Sequence, residues 1–161
     1  MTKEEFKKLF DTYFDSVRRY LVYRGADTEL ATDLAQDVFL RIWEKQLTID
    51  LKQIVGLLYK IAGNMFISKY RREVLELNYR KSLMFEEQGD SPLEKLQYND
   101  LEARYTKALA QLNEKQRTVF LMARMEGLKY HEIAERLNLS IKAIEKRMSQ
   151  TLAFLKKALE G

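Results

Sequence analysis

The sequence predicts an all-α protein made of two small helical domains joined by a linker. Apolar residues recur at helical spacing along most of the chain, and only one proline and six glycines interrupt them. No stretch of any length alternates polar and apolar residues as a half-buried strand would. A chain of 161 residues is long enough for two small domains. We place the domains at residues 1–74 and 92–161 and the linker at residues 75–91.

The first two predicted helices have clear ends and faces. The first runs from Lys3 to about Arg24, where Gly25 ends it, and Asp27 can cap the second. The apolar face of the second helix consists of Ala31, Leu34, Ala35, Val38, Phe39, Ile42 and Trp43. Its opposite face presents Asp33, Gln36, Asp37, Leu40, Arg41 and Glu44.

The third predicted helix runs from about Ile54 to Arg72, with Thr48 or Asp50 as a cap before it. Gly56 and Gly63 lie inside this helix and each costs about 1 kcal/mol relative to alanine. They allow the close approach either of a partner or of a neighbouring helix, and the sequence leaves both open. The polar face of the helix presents Tyr59, Lys60, Asn64, Ser68, Lys69, Arg71 and Arg72.

The helical pattern fades after residue 74, although residues 74–85 could prolong the third helix. The turn-like run Gln88-Gly89-Asp90 ends this stretch. Ser91-Pro92-Leu93-Glu94 then has the form of a capping box with proline at the first helical position. This run predicts the start of the second domain.

The last fifty residues have the pattern of a helix-turn-helix. Asn113 can cap a helix, with Gln116 reaching back to it, and Gly127 is placed to end that helix. A short helix follows, and Asn138-Leu139-Ser140 forms the turn, with Ser140 as the cap of the final helix. The predicted apolar stripe of the final helix is Ile141, Ile144, Met148, Leu152, Leu155 and Leu159.

The opposite face of the final helix is basic and polar. Such side chains donate to phosphates and base edges when the helix enters a major groove. The alternative is an ordinary helical hairpin with a solvated basic face. The candidate DNA contacts on this face are Ser140, Lys142, Ala143, Lys146, Arg147 and Gln150.

The composition and the distribution of charge favour a nucleic-acid-binding protein over an enzyme, a metalloprotein or a membrane protein. The net charge of +4 divides into +2 over residues 1–74, −2 over residues 75–112 and +4 over residues 113–161, which fits two nucleic-acid-facing modules and a connector. There is no cysteine and His131 is the only histidine, so we expect no metal site and no cofactor. No catalytic constellation emerges, so we expect no enzyme and no small-molecule substrate. No apolar run suits a leader or a membrane span, which predicts a cytoplasmic protein.

The order of these features resembles a bacterial RNA polymerase sigma factor of the sigma-70 family, of the extracytoplasmic-function (ECF) type. The similarity rests on the motif Asp-Leu-Ala-Gln-Asp-Val-Phe-Leu-Arg-Ile-Trp in the second helix, on Leu-Tyr-Lys-Ile-Ala-Gly-Asn in the third, and on the C-terminal helix-turn-helix. Region 2 of the family would cover about residues 5–72, and region 4 about residues 91–160. The fold that the resemblance implies is a region 2 three-helix bundle followed by a region 4 helix-turn-helix.

The resemblance implies a role for each polar face. Residues matching the helix that binds the clamp helices of the largest polymerase subunit are Asp33, Gln36, Asp37, Phe39 and Trp43. Residues matching the helix that contacts the −10 promoter element are Lys60, Asn64, Ser68, Arg71 and Arg72. The recognition-helix residues named above would contact the −35 element. A purely structural interpretation stays open, in which Asp33 and Asp37 lie on a solvated surface and Phe39 and Trp43 belong to the core.

The resemblance also implies partners: the RNA polymerase core through its clamp helices and flap, promoter DNA, and an anti-sigma factor, which in this family can be membrane-bound. The chain departs from the family pattern where Gly63 replaces a frequent basic residue and where Glu145 interrupts the basic face. Two rival functions remain. One is a free-standing helix-turn-helix regulator whose N-terminal bundle dimerises or senses a ligand, and the other is a protein–protein scaffold.

Overall fold

The computed structural model describes residues 1–47, 50–83 and 100–160, with the backbone alone described for residues 71–83. All regular structure within these ranges is α-helical, which confirms the predicted fold class. Thr48, residues 84–91 of the predicted linker and the predicted capping box at residues 91–94 lie outside the described residues. The helices are α1 (Lys3–Arg24), α2 (Thr28–Lys45), α3 (Leu51–Leu83), α4 (Asp100–Gln111), α5 (Glu114–Met125), α6 (Tyr130–Leu137) and α7 (Ile141–Glu160).

The N-terminal module consists of α1, α2 and α3, and its helices begin at the predicted caps. Asp27 Oδ1 accepts a hydrogen bond from the Leu30 amide at 2.8 Å, and Asp50 Oδ1 accepts one from the Gln53 amide at 2.9 Å. α1 packs against both α2 and α3. A hydrophobic core of side chains with 0–1% exposure lies between the three helices, formed by Val17, Leu21, Ala31, Ala35, Val38, Phe39, Ile42, Leu58 and Ala62.

α3 extends beyond Arg72, where the sequence predicted its end, because its backbone stays helical to Leu83. The sequence had left open that residues 74–85 prolong this helix. Residues 75–83 of the predicted linker are therefore helical. The domain boundaries themselves stay a prediction.

The C-terminal module consists of α4 to α7 and contains the predicted helix-turn-helix. Asn138 adopts the left-handed conformation with φ of 55°, which turns the chain between α6 and α7. Gly127 also has a positive φ of 65° and follows the end of α5, as predicted. The Asn113 side chain caps α5 by accepting from the Gln116 amide at 2.8 Å.

The predicted apolar stripe of α7 needs correction at two positions. Ile141, at its start, is 48% exposed. Leu152 is 49% exposed, and the fully buried residue at that level is Thr151. At 100° per residue, Thr151 lies about 20° from Ile144 around the helix, while Leu152 lies about 80° from it, at the margin of the stripe. Thr151 tolerates burial because its hydroxyl donates to the Arg147 carbonyl at 2.7 Å.

The two modules pack directly on each other. α1 contacts α5, and α3 contacts α6, so buried side chains of both modules belong to one connected core. In the described part of the chain no helix combines the length and the apolar character needed to cross a bilayer.

Candidate nucleic-acid interface

The six predicted recognition-helix residues lie on one face at the N-terminal half of α7. Successive α-helical positions are 100° apart, and these six fall within a sector of about 160°. Ser140, Lys142, Lys146 and Gln150 are exposed, and Ala143 and Arg147 are half-buried. The face that the sequence predicted is therefore present and largely open to solvent.

Two of these side chains are already engaged within the C-terminal module. The Ser140 hydroxyl oxygen accepts from the Ala143 amide at 3.1 Å, which confirms it as the cap of α7. Gln116 Nε2 donates to Gln150 Oε1 at 3.3 Å. Gln116 was expected to reach back to Asn113, and instead it ties α5 to the recognition helix.

The predicted −10 face lies on α3. Lys60, Asn64 and Ser68 follow each other at four-residue intervals and all three are exposed, so they form one polar row. Arg71 and Arg72 continue this helix, but their side chains lie outside the described residues.

Tyr59 does not belong to this face, contrary to the sequence-based assignment to the polar side. It is 2% exposed, and its hydroxyl accepts a hydrogen bond from Arg136 Nη1 of α6 at 3.0 Å. Burial raises the pKa of the Tyr59 hydroxyl, and the nearby Arg136 charge offsets part of that increase. Tyr59 is covered by Tyr20 of α1, with ring centroids 5.0 Å apart, and by Arg136 of the other module. The helical period of α3 could not reveal the contact with Arg136.

The α2 face predicted to bind polymerase divides into two parts. Asp33, Gln36 and Asp37 are exposed, as a docking surface requires. Phe39 is 1% exposed and packs edge-on against Phe10 with ring centroids 5.2 Å apart. Its assignment as a partner-binding residue is therefore corrected: it supports α2 from the core.

Trp43 is half-buried, and its ring lies 5.1 Å from that of Phe6. A residue that the candidate set omitted is Leu40, which is 54% exposed beside the acidic groups of α2. An exposed leucine on a polar face was the sequence signal that could have identified it.

A cleft of about 770 Å³ lies between α3 and the end of α6. Lys60 and Asn64 of α3 line one wall, and Arg136 and Asn138 of the helix-turn-helix line the other. Lys52 Nζ lies 3.3 Å from Glu135 Oε1 at the edge of this cleft. The polar face of α3 and the turn of the helix-turn-helix are therefore immediate neighbours.

The two glycines of α3 differ in what surrounds them. A Cβ atom at Gly63 would lie 2.5 Å from Arg24 Nη1 and 3.2 Å from the Tyr20 hydroxyl, so glycine makes room for side chains of α1. A Cβ atom at Gly56 would lie 3.8 Å from the Glu135 carbonyl oxygen, an ordinary contact. Of the two roles left open by the sequence, close approach of a neighbouring helix accounts for Gly63.

The chain is similar in sequence to one protein-family model and to several sigma factors. Residues 102–155 match the family model described as "Sigma-70, region 4". The chain is 28% identical to the ferric citrate uptake sigma factor FecI of Escherichia coli (strain K12) over 91% of this chain and 86% of that protein. It is 24% identical to the ECF RNA polymerase sigma factor SigM of Bacillus subtilis (strain 168), over 83% of this chain and 82% of that protein.

A solved structure shares the fold over almost the full length. The sigma factor RpoE of Bartonella quintana, solved in complex with the anti-sigma factor NepR, superposes with a TM-score of 0.65. The two chains are 25% identical, and the match covers 98% of each. The similarity therefore extends over both helical modules and is not limited to the helix-turn-helix.

Proposed function

We infer that this chain, a sigma factor of the ECF group of the sigma-70 family, confers promoter specificity on bacterial RNA polymerase. It binds the core enzyme, recognises the −35 and −10 elements and promotes transcription initiation. The observation that carries this function is similarity to sigma factors across more than four-fifths of the chain, combined with a helix-turn-helix whose polar face is open. A free-standing regulator is not favoured, because its N-terminal bundle would have no reason to resemble region 2.

The residue roles follow from exposure and charge. On α2, Asp33, Gln36 and Asp37 offer carboxylate and amide groups, with Leu40 adjacent, to a basic coiled coil of the core enzyme. On α3, Lys60, Asn64 and Ser68 face the −10 element, and Arg71 and Arg72 are proposed to contact phosphates. On α7, the exposed lysines at 142 and 146 supply phosphate contacts at the −35 element, with Arg147 and Gln150 beside them.

The proposal extends to partners and location. We expect an anti-sigma factor to bind this chain, since the structural neighbour RpoE was solved in complex with one. The protein acts in the cytoplasm, where the core enzyme and the promoter are. It has no catalytic activity of its own, because phosphodiester chemistry belongs to the core enzyme.

Reconstituted transcription tests this function. Core RNA polymerase, this chain or both are incubated with fragmented genomic DNA of the source organism, and the 5′ ends of the RNA are mapped. We expect a small set of discrete start sites only when both proteins are present, with two shared sequence elements upstream. Sequence-specific binding of duplex DNA by the chain alone, with no new start sites, would support the free-standing regulator and refute the sigma function.

A further inference from the structure

The exposed side of α7 is rotated from the polar face that the sequence predicted. Among residues 141–150 the exposed residues are Ile141, Lys142, Glu145, Lys146, Ser149 and Gln150. At 100° per residue they span an arc of about 180°, which is centred close to Lys142. Ala143 and Arg147 are half-buried and lie outside this arc. The arc therefore includes Glu145, which the predicted face did not, in the surface that a major groove would meet.

Glu145 lies well inside this exposed arc, at the end of the helix that would enter the groove. Glu145 and Lys146 lie on opposite sides of the centre of the arc, each about 50° from it. Glu145 is the fifth residue of α7, and the N-terminal residues of a recognition helix are the ones that contact base edges. A carboxylate is therefore placed between two lysines, where bases would be read.

The Glu145 carboxylate differs from its acidic neighbours because it is not engaged inside the protein. Within the described residues, no ion pair or hydrogen bond involves this carboxylate, although Lys142 lies one turn before it on the same helix. Its oxygens are open to an external donor. The acidic residues between positions 113 and 144 all accept from a basic side chain or a backbone amide: Glu114, Glu126, Glu132 and Glu135.

The major groove offers an ionised carboxylate one well-matched donor. A carboxylate only accepts hydrogen bonds, and DNA phosphates repel it. The polar groups that guanine and thymine present in the major groove are acceptors, and adenine presents its N6 amino group beside the N7 acceptor. Cytosine presents an N4 amino group with no acceptor next to it on the same base. Cytosine is therefore the base that an acidic side chain favours.

We propose that Glu145 reads a cytosine of the −35 element by accepting a hydrogen bond from its N4 amino group. This inference rests on the proposed sigma function. Lys142 and Lys146 contact phosphates near this cytosine, and their charges offset the repulsion between Glu145 and the DNA backbone. Any other base at this position leaves the carboxylate facing acceptors or without a donor, so Glu145 determines specificity there.

Equilibrium binding of the holoenzyme to a set of promoter duplexes tests this proposal. The starting promoter is one mapped by reconstituted transcription, and each base pair of its −35 element is replaced in turn by the other three at constant salt concentration. The chains compared are the wild type, Glu145→Ala and Glu160→Ala. Glu160 is exposed and lies about 22 Å further along α7, so Glu160→Ala is a matched control that removes the same charge far from the first turns.

We expect the wild type to prefer cytosine at one position by roughly 5- to 150-fold, the effect of one mismatched base pair. Glu145→Ala should lose this preference at that position alone, and Glu160→Ala should keep it. A pyrimidinone base that lacks only the N4 amino group should weaken wild-type binding by a similar factor when it replaces this cytosine. The same replacement should leave the affinity of Glu145→Ala unchanged.

A Glu145→Ala chain that binds every duplex more tightly by one common factor would overturn the proposal, because a solvated charge that only repels phosphates behaves in this way. Loss of a preference for a base other than cytosine would overturn it as well. Failure of the sigma function gives a different result, because the wild-type chain then produces no start sites with core polymerase and both inferences fall. Failure of the Glu145 assignment alone leaves start sites and promoter binding intact.

Discussion

At the scale of single residues, Gly63 decides how closely α1 and α3 approach beside the second module. A Cβ atom there would meet Arg24 Nη1, the far end of a flexible side chain, so the fold can adjust while Arg24 is displaced from Glu114. Gly63, one of the two departures from the pattern that the resemblance implies, therefore creates space for the ion pair between Arg24 of α1 and Glu114 of α5.

Replacing Gly63 by alanine has two effects: it raises the helix propensity of α3 and it displaces Arg24. A matched variant at Gly56 distinguishes the two effects. Gly63→Ala should lengthen the distance between spin labels attached to introduced cysteines on α1 and α7, because the new methyl group displaces Arg24 from Glu114 of α5. Gly56→Ala is the matched control, since its Cβ makes only an ordinary contact at 3.8 Å, and it should raise the free energy of unfolding by up to about 1 kcal/mol with no change in distance. Equal distances in the two variants would contradict the role assigned to Gly63.

The Glu126 carboxylate, which accepts hydrogen bonds from Arg19 and Tyr23 of α1, gives the contact between α1 and α5 a defined dependence on pH. Burial alone would raise the pKa of this carboxyl group, but hydrogen bonds from Arg19 and Tyr23, with the charges of Arg19 and Arg136, together lower it below its ordinary value of 4.5. The folded state thus binds this proton less readily than the unfolded state does. The stabilisation is complete above about pH 4.5 and is lost as the pH falls through the lowered pKa.

Unfolding experiments at several pH values check this sign. As the pH falls below 4.5, the free energy of unfolding of the wild type should decrease more steeply than that of Glu126→Gln, which has no carboxyl group to protonate. Glu102→Gln, at an exposed position on α4, should follow the wild-type curve. Parallel curves for the wild type and Glu126→Gln would show that the Glu126 pKa is not lowered.

At the scale of the helices, α2 shows how neighbouring residues on one helix serve different purposes. Phe39→Ala should lower the free energy of unfolding by about 3–5 kcal/mol, because it removes a ring that is 1% exposed. Asp37→Asn should leave stability within about 0.5 kcal/mol. Its affinity for core polymerase should fall roughly two- to fivefold, the size expected for an exposed charge pair.

Denaturant unfolding and a polymerase binding assay separate these effects. Asp11→Asn, an exposed change on α1, serves as the control and should alter neither quantity. An Asp37→Asn protein that binds core polymerase as tightly as the wild type would remove this residue from the proposed docking face.

The exposed lysines of the recognition helix α7 predict how promoter affinity depends on salt concentration. Lys142→Ala and Lys146→Ala should each weaken promoter binding by the assembled holoenzyme and reduce the slope of log affinity against log salt by about 1, as expected when one phosphate contact is lost. Lys156→Ala is the control, since Lys156 lines a groove with Leu101 and Phe120 away from the predicted DNA face. Unchanged salt slopes for Lys142→Ala and Lys146→Ala would place those residues off the DNA.

Helix ends were predictable from the sequence because caps are local chemistry. Asp27, Asp50, Asn113 and Ser140 each accept the backbone hydrogen bond that their positions predicted. Burial was less predictable wherever a second module covers a helix. Tyr59 follows a polar period on α3 yet is buried, so periodicity identifies the faces of a helix but not which faces find partners.

At the scale of the whole molecule, the arrangement of the two modules could not be predicted from the sequence. Arg19 and Glu126 are 107 positions apart, and no periodic pattern connects them. The order of the two modules could be recognised from motifs, whereas their packing depends on a small number of long-range contacts that only the folded chain reveals.

The central claim is that two separated modules read two promoter elements at a distance fixed by polymerase. It is tested most directly by RNA output from a promoter identified in reconstituted transcription, with the spacer between its elements altered. Lengthening the spacer by about five base pairs rotates one element by about half a turn. We predict RNA output near background for that promoter and unchanged output when the spacer is replaced at constant length. Equal output from the lengthened and the original promoter would contradict the account.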